Sequence, residues 1–280
     1  MMFWDRAASI QIAANIYDIE DFDFDFEVNF EDGKELPEAT VRIKNLASST
    51  RFSMARGDLI IINAGYKGQL GNIFVGQISS VEQKHEGTDW ITEIVGVSAM
   101  REWLSREVNK TYQATKASFV VRDLLNILGI EPAVFELVRD VNYPYGKYCR
   151  GRVGDIVSEI VTRDCESRFV INNGLIIIND PNQPVTFGAL LSAQTGLLRN
   201  STGTMIVPIT NNLLEPLSEE EKLEQAILKT RSVMLNPALL GGSLVEVDSN
   251  DLQGTFIVVR GQHVGSRTGE WLTKVELREF

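Results

Sequence analysis

A stretch of strand-forming sequence occurs twice in this chain, and the duplication constrains its fold more than any other feature. Arg56 to Val97 reads RGDLIIINAGYKGQLGNIFVGQISSVEQKHEGTDWITEIVGV, and Gly242 to Leu277 reads GSLVEVDSNDLQGTFIVVRGQHVGSRTGEWLTKVEL. In the first copy Asp58 to Ala64, Ile73 to Val81 and Trp90 to Val97 are rich in β-branched and aromatic residues without helical period, which predicts three strands. Gly65, Gly68 and Gly71 punctuate a predicted loop, and Gly76 interrupts the middle strand. Gly57-Asp58-Leu59-Ile60 answers to Gly242-Ser243-Leu244-Val245, and Ile73-Phe74-Val75 to Thr255-Phe256-Ile257. Trp90-Ile91-Thr92-Glu93-Ile94 answers to Trp271-Leu272-Thr273-Lys274-Val275. The copies differ in loop length, where insertions cost little. Two copies far apart predict two related antiparallel β-domains, each a small barrel or sandwich, rather than a solenoid, which needs more repeats.

Between the copies the pattern changes. Ser118 to Leu128 puts Val120, Val121, Leu124, Leu125 and Leu128 on one helical stripe, with Ser118 as N-cap and Gly129 as a left-handed stop. Val153 to Asp164 is a second amphipathic helix, and Arg168 to Asn172 with Leu175 to Asn179 flank Asn173-Gly174, a strong hairpin signal. The aromatic loop Asn142 to Gly151 reads as a core edge or an interface. The expected organisation is therefore mainly β with an α+β insert: a first β-domain over 1–105, a helix/hairpin insert over 106–180 and a second β-domain over 181–280. Ser9 to Tyr17 is expected to form the first strand. Ser218 to Arg231 carries a capping box (Ser218, Glu221), but Ala226 to Leu235 sits where Ala39 to Leu46 precedes the first copy. A short helix or loop through Gln225 and a strand after it satisfies both.

Asp21 to Val28, DFDFDFEV, alternates strictly, which predicts a half-buried strand with Phe22, Phe24, Phe26 and Val28 inward. Asp21, Asp23, Asp25 and Glu27 then share the wet side, and every charged residue from Asp18 to Asp32 is acidic. A calcium loop would need glycine and a bidentate glutamate where Phe26 and Asp32 stand, so the spacing belongs to the strand.

The 280 residues carry a net charge of −11, which argues against electrostatic capture of nucleic acid or an anionic membrane. No apolar window is long enough to span a bilayer, and the first residues lack a basic segment followed by an apolar core; neither a membrane span nor a secretory signal is expected. Cys149 and Cys165 read as free thiols. The only two histidines, His85 and His263, fall in predicted loops at comparable places before a glycine turn. No zinc-ligand spacing, nucleophile elbow or phosphate loop occurs. The expectation is no catalytic residue, no metal and no cofactor.

Taken in order, these parts resemble the central tail-hub (baseplate hub) proteins of long-tailed bacteriophages and phage-tail-like bacteriocins, kin of the late-control protein D and type VI spike families. The resemblance rests on Gly57-Asp58-Leu59-Ile60 with Ile73 to Ile78, the helix Ser118 to Leu128, the helix–hairpin Gly154 to Asn179, Met234-Leu235-Asn236-Pro237 to Gly242, and Gly269-Glu270-Trp271. It implies two tail-tube-like barrels separated by an α/β insert, and a homotrimer adapting the six-fold tail tube to a three-fold spike or fibre. Implied partners are the tail tube or distal tail protein, the tape-measure protein, and a spike, fibre or tail-associated lysin, with no specific nucleic acid and no membrane insertion. The implied location is the tip of a virion or tail-like particle assembled in the bacterial cytoplasm. In that setting Asp21, Asp23, Asp25 and Glu27 become a candidate lumen or inter-subunit face. An alternative is a peptidoglycan-binding module built on the helix–hairpin, which shows one helix where lysin-motif domains use two.

Overall fold

The computed structural model describes residues 5–33, 36–98, 100–172, 174–183, 190–192, 203–205, 228–249 and 252–280. The first β unit comprises β1 (Arg6–Ile12), β2 (Asn15–Asp18), β3 (Phe24–Glu31), β4 (Glu38–Lys44), the short helix α1 (Ser48–Ser53), β5 (Leu59–Tyr66), β6 (Gln69–Glu86) and β7 (Asp89–Val97). Then follow α2 (Met100–Leu104), β8 (Glu107–Tyr112), β9 (Thr115–Lys116), α3 (Ala117–Ile127), β10 (Val134–Phe135), β11 (Asn142–Tyr143), β12 (Lys147–Arg152) and α4 (Val153–Glu159). A π turn (Ile160–Asp164), β13 (Arg168–Asn172) and β14 (Leu175–Asn179) complete the insert. The second β unit holds β15 (Leu190–Ser192), β16 (Gly203–Met205), β17 (Leu228–Met234), β18 (Leu244–Asp248), β19 (Gln253–Ser266) and β20 (Trp271–Glu279).

The fold is mainly β and its large sheet is almost wholly antiparallel. Both β units belong to one 13-stranded sheet, ordered β16-β17-β20-β19-β3-β4-β7-β6-β5-β1-β2, with β15 and β18 attached at β19. The two long strands explain how each unit curls. β6 pairs with β5 through its first half and with β7 through its second, and the register shifts between Ile78 and Ser80. In β19 the shift falls between Val258 and Arg260, and its first part pairs with β18. A bulge bends a strand and raises its twist, so one strand serves two walls.

These bulges fix how the copies correspond. Gly57 N–H bonds the Ile78 carbonyl at 2.8 Å, and Gly242 N–H bonds that of Val258 at 2.8 Å. Ile78 N–H and Val258 N–H return to the Asp58 and Ser243 carbonyls, each at 2.9 Å. Leu59 and Leu244 accordingly face Gln77 and Ile257, so Phe256 matches Gly76. The sequence alignment of Phe74 on Phe256 is out by two residues. A two-residue slip keeps every side chain on its own face, so hydropathy cannot detect it. Beyond the bulge Val95 matches Glu276, which brings Trp90 onto Trp271. β17 lies along β20 as β4 lies along β7, in the place expected of Ala226 to Leu235; Ser218 to Gln225 lies outside the described residues.

Three boundaries differ from expectation. Ser9 to Tyr17 is a hairpin, not one strand, because the chain turns at Ala13, which holds φ at 50° without glycine. The loop predicted around Gly65, Gly68 and Gly71 shrinks to Lys67-Gly68, with the other two glycines paired inside β5 and β6. β3 begins at Phe24, since Asp21 and Phe22 N–H both bond the Asp18 carbonyl as a turn.

Buried side chains form three clusters. Phe24, Phe26, Val28, Ile60 and Ile62 centre the first, which also takes in Trp271 and Leu235 from the second unit. Val233, Val245, Phe256, Val275 and Leu277 centre another. The insert has its own, where α3 buries Val120, Val121, Leu124 and Leu125. Gly129 adopts φ 71°, ending α3 as expected, but the cap at its start is not Ser118. The carboxylate of Asp140 takes that role, accepting from Ser118 N–H at 2.9 Å and Ser118 Oγ at 2.8 Å.

Insert and β units are pinned at a buried ion pair. Arg168 Nε lies 3.6 Å from Asp32 Oδ1, with side chains 7% and 8% exposed. Arg168 also donates to the Gln183 carbonyl at 3.0 Å and the Pro181 carbonyl at 2.5 Å, while Asp32 N–H bonds the Val259 carbonyl at 2.6 Å. Burial pushes Asp32 up and Arg168 down, each opposed by the other's charge. Removing one partner of a buried pair strands the other. Arg168→Ala should therefore cost about 3–5 kcal/mol, and Arg168→Ala with Asp32→Ala less than the two singles summed, as read from urea midpoints.

Candidate assembly face at the joint of the two units

Because β3 pairs with β4 on one side and β19 on the other, the solvent face of the sheet runs without a break from β6 through β7, β4, β3, β19 and β20 to β17. Strand alternation puts Asp25, Glu27 and Asn29 on that face, opposite Arg42, Thr40 and Glu38 of β4 and Ser266, Val264 and Gln262 of β19. Asp25 and Glu27 are thus on the sheet, Asp23 is just before the strand, and Asp21 is exposed in the turn after β2.

This face is not the unbroken negative field that the local sequence suggests. Lys44 Nζ meets Asp23 Oδ2 at 2.8 Å, and Arg42 Nε meets Glu93 Oε2 at 2.8 Å, with Lys84 on the other Glu93 oxygen at 3.2 Å. Across the joint Gln262 Nε2 donates to Glu27 Oε2 at 3.4 Å and Asn29 Oδ1 at 3.1 Å, and within the second unit Arg260 pairs with Glu276 at 2.7 Å. The Glu93 hydrogen bond, then the fields of Glu27 and Asp25, hold the Arg42 guanidinium above its ordinary range. The Asp23 bond does the same for Lys44. Such exposed pairs contribute little stability; their effect is to interleave the acids with cations. Arg42 and Lys44 lie far from the acidic run in sequence, and only strand register reveals them as its neighbours.

Neither histidine is a loop residue. His85 is exposed on β6, its ring 5.0 Å from Trp90. His263 is completely buried on β19, with Nδ1 2.8 Å from Thr273 Oγ1 and its ring 4.6 Å from Phe30. By register it matches Gln83, so the two positions are not equivalent. Gly265, taken for a turn, is a paired strand residue, which is why the loop reading failed.

Two carboxylates of the insert gather the same set of donors. Asp123 Oδ2 accepts from Lys110 Nζ and Tyr112 OH, both at 2.6 Å. Asp164 Oδ2 accepts from Lys147 Nζ at 2.8 Å and Tyr143 OH at 2.5 Å. Burial raises both carboxyls, but these bonds outweigh it and leave them below their usual range. Burial, then the carboxylate bond, raises both phenols. Each tyrosine and lysine donates to its carboxylate, and the triads tie strands to helices. Cys149 and Cys165 are free thiols buried in the same core and raised by burial. A cleft of about 520 Å³ between insert and first unit is lined by Glu38, Arg101, Leu104, Arg152, Asp155 and Phe169, with Glu38 already paired to Arg101 at 2.9 Å. Among the described residues no three His, Cys, Asp or Glu side chains converge on a metal position, and no helix is long and apolar enough to cross a membrane.

No family model and no curated protein sequence matches the chain. Solved structures do. A tail protein from Neisseria meningitidis MC58 superposes with a TM-score of 0.70 at 10% identity, over 99% of this chain and 97% of its own. The 43 kDa tail protein of prophage MuSo2 from Shewanella oneidensis gives 0.68 at 9% identity, over 98% and 97%. The E. coli c3393 protein gives 0.66 at 12% identity, over 97% of this chain and 76% of its own; it is described as a type VI secretion component with structural similarity to the T4 tail proteins gp27 and gp5. The chain has the fold of these tail and injection-machine proteins along nearly its whole length.

His263 supplies a pH test. Burial pushes it down to about 3 from 6.5. Below 6.5 the unfolded chain takes up a proton that the folded chain refuses, so stability is complete above 6.5 and is lost as pH falls toward 3. Urea unfolding from pH 7 to 5 should show a slope approaching about 1.4 kcal/mol per pH unit. His263→Gln should flatten it.

Proposed function

We propose that this chain is a structural hub of a phage tail or tail-like particle, in which three copies form a ring adapting the six-fold tail tube to a three-fold tip. The chain does no chemistry of its own; any cell-wall cleavage belongs to a partner such as a tail-associated lysin. The observation that carries this reading is the single sheet in which two units of one strand plan are joined edge to edge through β19 and β3. Three such chains supply six units, the number a hexameric tube presents. The likeness to tail proteins over nearly the full length supports the same reading.

The two ends of the chain's sheet suit an adaptor. The hairpin tips at Gly87-Thr88 and Arg267–Gly269 lie at one end of the strands, in matching positions of the two units. The insert leaves at the opposite end, beyond Val97. A ring would therefore offer six similar tips to the tail tube or distal tail protein and three inserts to the spike, fibre or tape-measure side. Native mass spectrometry should give a trimer, and a tag on the insert should appear at the tail tip by electron microscopy. A hexamer of this chain, or a tag along the tube, would overturn the reading.

The polar face of β6, β7, β4, β3, β19, β20 and β17 is then the wall of the lumen, with Asp25 and Glu27 on it. Interleaved charge with a net negative sign would let DNA pass unheld, since like charges repel within about 8 Å at physiological salt. In particles that carry DNA, Asp25→Lys with Glu27→Lys should retain DNA after ejection in a salt-dependent way. If the pair instead abolishes trimer formation, these residues belong to a seam between copies.

A further inference from the structure

The joint inside the chain specifies the joint between chains. At the inner joint, the second half of β19 has β20 on one edge and β3 on the other, with Arg260 opposite Glu31, Gln262 opposite Asn29 and Val264 opposite Glu27. The matching half of β6, from Ser80 to Glu86, pairs with β7 on one edge. Its other edge carries no strand among the described residues. An unpaired edge of that length is a template for another strand.

The strand that fits it is also identifiable. β3 lies beside β4, with Glu27 opposite Thr40. In the second unit β16 lies beside β17 in the same sense, with Gly203 opposite Thr230 and Met205 opposite Leu228. Since β17 runs along β20 as β4 runs along β7, Gly203 holds the place of Glu27 and Met205 that of Asn29. Each chain therefore offers an open β6 edge at one end of its sheet and β16 at the other. We infer that β16 of a second copy adds to the Ser80–Glu86 edge of β6, antiparallel, with Lys84 opposite the second copy's Gly203 and Glu82 opposite its Met205.

Tryptophan exposure agrees with an unfilled joint. Trp271 at the inner joint is 6% exposed, its Nε1 donating to the Gly65 carbonyl at 3.2 Å and Arg6 lying over its ring at 5.6 Å. Trp90, its counterpart on β7, is 42% exposed and covered on one face by Arg51 at 4.4 Å. The sealed tryptophan is the one with a neighbouring unit beside it, and the half-open one stands at the joint the second copy would fill.

This inference rests on the ring reading but is tested separately from it. Two double variants, Glu82→Cys with Met205→Cys and Lys84→Cys with Gly203→Cys, place thiols directly opposite across the inferred joint, within disulfide reach of paired strands. Mild oxidation of the full-length protein should yield covalent dimers and trimers from both pairs, and none from any single variant or from the out-of-register pair Glu86→Cys with Met205→Cys. A trimer by native mass spectrometry that links through neither in-register pair would overturn this register while leaving the ring intact. A chain that stays monomeric at every concentration would overturn the ring itself.

Discussion

The pairing of β19 on β3 is the interaction on which the rest of the molecule depends. It is more than a row of backbone hydrogen bonds. Gly261 lies opposite Phe30 and Gly265 opposite Phe26, and a Cβ on either glycine would collide with the phenyl ring across from it. Glycine inside a strand weakens it unless something uses the space. Here the rings of β3 fill that space, so a costly residue on one strand is matched by a large one on its neighbour. Trp271 continues the device: it packs edge-on against Phe26 at 5.7 Å and enters the core of the first unit. Trp271 and Leu235 thus complete the core of the first unit, and Phe30 enters that of the second.

Much of this architecture is legible in the sequence, and what is missed has a common cause. The glycine-led strand at Gly57 and Gly242, the Phe alternation of β3 and the α3 stripe are local patterns with a fixed period, and each stands in the structure within a few residues. The joint is not local. Its strands are separated by the whole insert, and nothing in the alternation of Phe26 and Phe30 says that Gly265 and Gly261 lie beneath them. The same holds for the candidate face: Asp25 and Glu27 are visible as a wet stripe, but Arg42 and Lys44 become their neighbours only through register. His263 shows the cost of reading glycine as punctuation. Gly265 is a contact surface for a ring, so a histidine placed two residues before it is a core residue.

The polar chemistry of the insert points the same way as that of the joint. Asp123 and Asp164 each collect a lysine and a tyrosine, and each lysine also lies over its tyrosine ring, at 5.0 and 4.8 Å. Such a knot is directional, because hydrogen bonds and ring faces both demand a geometry. It fixes how the ribbon of β8 and β12 sits on α3 and the π turn. With Arg168 and Asp32 anchoring the insert to the sheet, the molecule is built to hold its parts in set orientations. In the proposed ring that rigidity matters, because error in one chain's angle would be multiplied around it.

The two copies agree where the joint requires it and differ elsewhere. Bulges, glycine-led starts and tryptophans coincide. Yet the path from β4 to β5 carries α1 and an exposed Phe52, while the path from β17 to β18, Leu235 to Ser243, turns at Pro237 and again at Gly241 with no helix. β1 runs antiparallel to β5, whereas β15 runs parallel to β18. Arg51, from α1 of its own unit, covers Trp90; Arg6, from the unit next door, covers Trp271. In the proposed adaptor an identical repeat would have to satisfy a six-fold and a three-fold partner with one surface. Divergence outside the joint lifts that constraint, since in the proposed ring α1 recurs three times while the strand plan recurs six. In that ring the shared joint would keep the wall continuous, while the differing loops would mark every second unit.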